Sequence, residues 1–245
     1  MMRMDPETGN LVRKGIPAIL NPADVFPVSA AVSLKERFGG EVTLITMGPP
    51  AAQEALRECL AMGCDQAVLL TDRAFGNADT LATSYSIMMA AGQTGNYDVI
   101  LCGKESLDGA TGQMPAQLAQ RFGAAMVTSC CGISGFDAEG GTLTAVRRTG
   151  NGTETVRAKL PVLLTVEKEA FPEIMPTLKG KIRALHAPVS VVTAKDIPGL
   201  DYERIGDPGS PTKVPRMFPP VVPEAGEILN SVPALLEKLR EDQCL

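Results

Sequence analysis

QAVLLTDRAFGNADTLATSYSIMMAAG, residues 66–92, reads as a strand, a turn of small residues and a helix. The run Gln66–Thr71 is apolar at successive positions, as expected of a strand covered by helices on both faces. Asp79-Thr80 then supplies a side-chain acceptor where the helical pattern of 79–92 begins. The same unit recurs on both sides of this stretch. EVTLITMG (41–48) turns through Pro49-Pro50 into the helix AAQEALRECLAMG (51–63). YDVILCG (97–103) leads to a helix over 112–122 and then to AAMVTSCCGI (124–133). Upstream, PVSAAVSLKERF (27–38) is helical and is stopped by Gly39-Gly40, and ETGN (7–10) is a hairpin-type turn. Strands alternating with helices predict an α/β fold with a parallel sheet and right-handed crossovers.

The character changes near residue 134. GTLTAVRRTGNGTETVRAKLPVLLTVE alternates about a Gly-Asn-Gly turn, which predicts an antiparallel hairpin added to the sheet. From Ile197 the chain is rich in Pro and Gly and should run extended. It ends in a short amphipathic helix, 231–241, with Val232, Leu235, Leu236 and Leu239 on one stripe. The expected division is an α/β nucleotide- or flavin-binding domain over 1–195 and an extended C-terminal arm over 196–245 that packs on another subunit.

Composition narrows the function classes. The chain has 245 residues, a net charge of −5 and scattered basic residues, so a nucleic-acid footprint is not expected. No apolar run approaches the roughly 20 residues of a membrane span, and the first 20 residues lack the apolar centre of a secretory signal. A cytoplasmic location is expected. The six cysteines include no C-x-x-C pair and His186 is the single histidine. A zinc or iron–sulfur centre and a Ser/His or Cys/His catalytic device are therefore disfavoured.

Open parallel sheets bind ligands beyond the carboxyl ends of their strands, so the loops there deserve inspection. NPAD (21–24) opens a helix. TMGPP (46–50) and DRAFGNADT (72–80) follow strands. GKESLDGATGQMP (103–115) carries Asp108, small residues and a helix start at Thr111-Gly112-Gln113. Small residues let a phosphate approach the backbone, and free N–H groups at a helix start favour its charge. None of the loops is a Walker or Rossmann fingerprint. Nucleotide binding fits these loops; the reaction stays open.

NPAD with its helix, ITMGPP, ALRECLAMGCDQAVLL, DGATGQM after VILCGKES, LPVLLTVEKE and PTLKGKIRAL together resemble the β subunit of electron transfer flavoproteins, from about Arg3 to Lys238. The resemblance implies an adenine-nucleotide-binding, Rossmann-like domain paired with a homologous α subunit. In simple members the β subunit holds AMP, and FAD sits mainly in the α subunit. By position, Asn21, Pro22, Ala23, Asp24 and Met47 would contact the nucleotide. Asp108, Thr111, Gly112, Gln113 and Met114 would hold its phosphates. Ala110 stands where many relatives have an acidic residue.

DRAFG-x-ADTLATS resembles a subgroup from anaerobic microbes. In that subgroup the β subunit holds FAD, takes hydride from NADH and splits the electron pair. One electron goes to ferredoxin or flavodoxin; the other passes through the α-subunit flavin to an acyl-CoA or hydroxy-acid dehydrogenase. On this reading Thr80, Thr83 and Ser84 lie near the β flavin, with Arg73, Phe75, Gly76, Ala78 and Asp79 toward flavin and NADH. Small residues admit a planar ring, and hydroxyls can donate to ring nitrogens or phosphate oxygens. Asn77 replaces a usual glycine but tolerates left-handed geometry. The rivals are a simple carrier with AMP in the β subunit and, from another class, an adenine-nucleotide-binding regulatory module. An adenylating enzyme would need an S-G-G-x-D-S loop, which is absent.

Two departures accompany the resemblance. The family begins with a central apolar strand, ending in a KQVPD-like loop, that this sequence does not show. KEAFPEIMP (168–176) is apolar at Phe171, Ile174 and Met175 where simple carriers have a charged docking loop, so these residues are either a docking knob or buried.

Overall fold

The computed structural model describes residues 19–107, 109–214 and 226–245. The expected turn at 7–10, the expected phosphate ligand Asp108 and the stretch 215–225 lie outside the described residues. The chain divides into a larger unit, Gly15–Lys213, and a smaller one that contains Val214–Leu245.

The larger unit is an alternating α/β structure. It begins with α1 (Val25–Phe38), β1 (Thr43–Met47), α2 (Gln53–Met62), β2 (Gln66–Leu70), α3 (Thr80–Ala91), β3 (Val99–Cys102) and α4 (Met114–Phe122). It continues with β4 (Ala125–Asp137), β5 (Thr142–Thr149), β6 (Gly152–Lys159), β7 (Val162–Val166), α5 (Leu178–His186) and β8 (Ser190–Val192). The strands form two sheets. One, entirely parallel, has the order β1-β2-β8; the other has the order β3-β7-β4-β5-β6. In the second, β3, β7 and β4 are parallel, and β5 and β6 close it as the expected antiparallel hairpin.

Burial follows strand position. Val68, Leu69 and Leu70 of β2 and Val162, Leu163 and Leu164 of β7 have neighbours on both sides and are fully buried. Each such side chain contributes about 1.5–3 kcal/mol by leaving water. Among the described residues β1 pairs only with β2 and β3 only with β7, and every residue of these two strands is half-buried. Helices tie the layers together: α1 packs on α2, β3 and β7, and α3 packs on β1 and α4.

Three differences from the expected elements have local causes. β4 runs to Asp137 because its first half pairs with β7 and its second half with β5. The switch lies at a register shift between Val127 and Cys130, where Ser129 has a left-handed φ of 55°. α5 was not anticipated; Gly180 obscured it, and Thr177 caps it by accepting from the Gly180 N–H. Residues 194–213 are not simply extended, since 3-10 turns at Ala194–Asp196 and Tyr202–Arg204 bury Ile197 and Ile205 against β2 and α3.

In the smaller unit, α6 (Val232–Glu241) is capped by Ser231, whose hydroxyl accepts from the Ala234 N–H. Val232, Leu235 and Leu236 are exposed along it.

Candidate functional site

The loop that leaves β3 at its carboxyl end meets the start of α1 through specific hydrogen bonds. Asp24, just ahead of α1, accepts from the Asn21 amide at 3.0 Å and from the Gly103 N–H at 3.1 Å. The Asn21 amide also donates to the Glu105 carbonyl at 3.2 Å. So NPAD and the loop after β3 form one structure. Burial raises the Asp24 carboxyl above its ordinary value, although its two donors pull it back down. The Asn21 Oδ1 is buried and has no donor among the described residues, a state that costs about 1–3 kcal/mol unless something supplies one.

Gly103 was not among the expected ligands, yet its backbone decides the geometry here. A Cβ at 103 would stand 2.6 Å from Asp24 Oδ1 and 3.3 Å from the Ala23 carbonyl oxygen, so only glycine brings the two loops this close. The signal was its position after the most apolar strand.

Beyond Gly103 the loop carries two left-handed residues. Ala110 and Gly112 have left-handed φ angles of 45° and 62°, a backbone pattern that makes concave nests of N–H groups. Among the described residues no side chain caps the start of α4, which leaves the amides of Met114 and Ala116 available, Pro115 having none. Thr111, Gly112 and Gln113 are exposed and Met114 is half-buried. The Thr80 hydroxyl donates to Gln113 Oε1 at 2.7 Å and accepts from Gln117 Nε2 at 3.2 Å. Through these bonds α3 and α4 start side by side. Gln117 was not anticipated; it lies one turn beyond Gln113.

The stretch 72–84 is largely occupied by its own fold. Asp72 accepts from the Ala74 and Ala194 N–H groups at 3.0 and 3.1 Å; these bonds hold its carboxyl below the ordinary value. Asp79 caps α3 through the Leu81 and Ala82 amides at 2.9 and 3.1 Å and accepts from the Thr212 N–H at 3.0 Å. Desolvation works to raise its pKa, but these amides outweigh it and the carboxyl lies below its usual value. Phe75 is buried in the core cluster of Val68, Leu70 and Tyr85. Ser84 is fully buried, donates to the Leu81 carbonyl at 3.0 Å and accepts from Arg121 Nε at 2.9 Å. Arg73 and Gly76 are exposed, and Ala78, Thr80 and Thr83 are half-buried. Asn77 adopts the left-handed turn, with φ 56°. On the first sheet Met47 ends β1 and packs against the β2 cluster, while Pro22 is exposed and Ala23 half-buried.

The apolar loop 168–176 divides. Phe171 and Ile174 pack against the core, and Met175 is 72% exposed. Met175 continues into Leu178, Ile182 and Leu185, which are 76%, 52% and 69% exposed. Leu178, Ile182 and Leu185 share the outer face of α5 at helical spacing, and Met175 lies in the loop just before it.

No cluster of histidine, cysteine and carboxylate groups suited to a metal ion occurs among the described residues. No helix among them is long and apolar enough to cross a membrane.

Against this geometry, residues 8–197 match the electron transfer flavoprotein domain family. The electron transfer flavoprotein subunit beta of Thermoanaerobacterium thermosaccharolyticum is 40% identical, over 97% of this chain and 92% of the relative. Protein FixA of Azorhizobium caulinodans is 40% identical over 89% of this chain and 79% of its own length. The subunit CarD of the caffeyl-CoA reductase–Etf complex of Acetobacterium woodii is 38% identical over 98% and 93%.

Proposed function

The chain belongs to the electron transfer flavoprotein family, as a subunit of the beta/FixA type, and from that premise we propose that it binds FAD and works with NADH in an electron-splitting complex. In that complex it pairs with a flavin-bearing α subunit. The observation that carries nucleotide binding is the buried Asn21 Oδ1, without a donor among the described residues, beside the left-handed turn at Ala110 and Gly112. An adenine nucleotide offers what each lacks: an amino or ribose hydroxyl donor for Asn21, and phosphate oxygens for the uncapped amides at the start of α4. The residues present therefore fit the group.

Bound FAD would accept a hydride from NADH and pass electrons singly, to ferredoxin or flavodoxin and, by way of the α-subunit flavin, to an acyl-CoA or hydroxy-acid dehydrogenase. The protein's own contribution is placement. Asp24 and Gly103 hold the first loop against the third. Thr80 orients Gln113 at the phosphate turn. Thr83 and exposed Arg73 are the groups of the 72–84 stretch left to face the flavin and NADH, while the Thr80 hydroxyl acts through Gln113. The stripe Met175, Leu178, Ile182 and Leu185 is the surface proposed for the partner dehydrogenase, and α6 with the arm before it is proposed to pack on the α subunit.

The similarity to CarD, a subunit of a reductase–Etf complex, favours this reading. One observation favours the simpler carrier with AMP: Phe75, Asp79 and Ser84 are already committed within the fold. The two readings part on a count of cofactors released from the protein co-expressed with its α subunit. Two FAD and no AMP per heterodimer support the electron-splitting subunit. One FAD and one AMP reduce it to a simple carrier, and a well-formed heterodimer with no flavin removes both.

A further inference from the structure

A further cleft lies beside the start of α3, where Arg121, two turns along α4 from Gln113, reaches Ser84 and the Leu81 carbonyl. It has a volume of about 280 Å³ and is lined by Leu81, Tyr85, Arg121, Glu203, Arg204 and the turn 208–211. Arg121 and Arg204 stand over the ring of one buried tyrosine, Tyr85, with guanidinium carbons 5.5 and 4.1 Å from its centroid. The Tyr85 hydroxyl accepts from the Asp201 N–H at 3.1 Å, which anchors the turn that carries Arg204.

Neither arginine has an acidic partner. Among the described residues no ion pair involves Arg121 or Arg204. Arg121 spends two donors on Ser84 Oγ and the Leu81 carbonyl, both at 2.9 Å, and retains the rest of its fork. Among the described residues the Arg204 side chain makes no hydrogen bond, only its N–H bonding back to the Asp201 carbonyl. Glu203 lines the same cleft without pairing with either. Burial and the neighbouring Arg204 charge together push the Arg121 guanidinium below its ordinary value. Two like charges held together on one ring are a standing cost that an anion between them would remove, and planar guanidinium forks match phosphate oxygens in pairs.

We propose that this cleft is a phosphate-binding site, separate from the nucleotide loops, in which Arg121 and Arg204 clamp a single phosphate or diphosphate group. The volume is just below the roughly 300–1,000 Å³ of pockets that enclose drug-sized ligands, so it takes the charged group and not a whole dinucleotide. The ligand bridges two elements: Arg121 belongs to α4, and Arg204 to the turn whose continuation is tied to α3 through Ser210 and Thr212. Occupancy therefore fastens 202–212 over the start of α3.

The test is calorimetric titration of the nucleotide-loaded heterodimer with inorganic phosphate and, separately, pyrophosphate at constant low ionic strength. Arg204→Gln is the primary variant, because Arg204 is exposed and its loss leaves the fold's hydrogen bonds in place. Saturable binding that weakens about tenfold or more in Arg204→Gln, with flavin and nucleotide content unchanged, supports the site; a tenfold loss is the size expected for one charge-assisted contact. Arg121→Gln should weaken it similarly, and its melting temperature reports separately any loosening of α3. Phosphate binding alone points to the free anion, and pyrophosphate preference to a diphosphate-bearing ligand; either supports the site. No saturable binding of either anion up to about 10 mM, or equal affinity in Arg204→Gln, overturns it.

Discussion

Asp79→Ala should loosen the whole start of α3, because one carboxylate serves three amides. Two belong to the first turn of the helix, Leu81 and Ala82 at 2.9 and 3.1 Å, and the third is Thr212 at 3.0 Å. Loss of an N-cap costs about 1 kcal/mol. The Thr212 bond is charge-assisted but partly exposed, so about another 1 kcal/mol is a fair discounted figure. The sum, about 2 kcal/mol, corresponds to a fall in melting temperature of roughly 4–8 °C for a domain of this size. Asp79→Asn keeps one oxygen, and asparagine is itself a good cap, so this variant should lose less than half as much. The effect also depends on pH in a definite direction. The carboxyl is held below its ordinary value in the folded chain, so its contribution is complete above the unfolded pKa of about 3.9. It disappears as the pH falls through the lower native value. Urea midpoints of the three proteins, followed by far-ultraviolet circular dichroism at neutral pH and near pH 3, read both effects. An Asp79→Ala protein within about 0.5 kcal/mol of the parent at neutral pH would refute the assignment of this carboxylate as cap and tether, since that is the scatter of neutral surface changes.

Three further outcomes are expected. Leu164→Ala empties a fully buried position in the centre of the second sheet and should cost about 2–5 kcal/mol in urea unfolding; a loss below 1 kcal/mol would show that β7 is not central. Gly206→Ala places a Cβ 2.1 Å from the Ala74 carbonyl oxygen at a left-handed φ of 53°, so the turn after Tyr202–Arg204 must lift off the 73–76 turn, detectable as faster limited proteolysis between 197 and 213. Cys59 and Cys64 are each pushed up to about 12, chiefly by burial, so at pH 8 a thiol reagent should modify exposed Cys244 while these two react only on unfolding; rapid modification of either in the native chain would contradict their burial.

Most of the elements were legible because each obeys a local rule, α5 and β8 excepted. Apolar runs such as VLL in β2 and VILC in β3 identify covered strands, and Asp79 and the Gly39-Gly40 pair mark helix ends that the structure reproduces within two residues. The position of β7 was not legible. Nothing in LPVLLTVE states that this strand inserts between β3 and β4; strand order depends on contacts between residues about 60 apart in sequence, as in the register of Val99 with Val162. The loops of the site could be located, because parallel strands direct their ligands to one end. Their wiring could not. That Ser84 faces Arg121 and Phe75 faces the core follows from which side of α3 and of the 73–75 turn meets α4 and β2, and helical spacing alone leaves that choice open.

This wiring gives the 72–84 stretch a particular physical character. A segment rich in small residues and hydroxyls would by composition be loose, yet its two carboxylates, Thr80 and Ser84 are all used. Asp72 is fixed at one end by Ala74 and Ala194, Asp79 at the other by Leu81, Ala82 and Thr212, and Ser84 beyond it by Arg121. The Asp79 N–H is itself tied to Ser210 Oγ at 2.8 Å. What remains unspent is a short exposed arc, Arg73 and Gly76, with the half-buried hydroxyl of Thr83. A cofactor that needed the segment to rearrange would have to break several charge-assisted hydrogen bonds, each worth about 1.5–3 kcal/mol. Rigid presentation is therefore the economical use of this turn. The hydrogen bonds at both ends fix the turn in advance, so a ligand that met it in this shape would bind without the cost of ordering it.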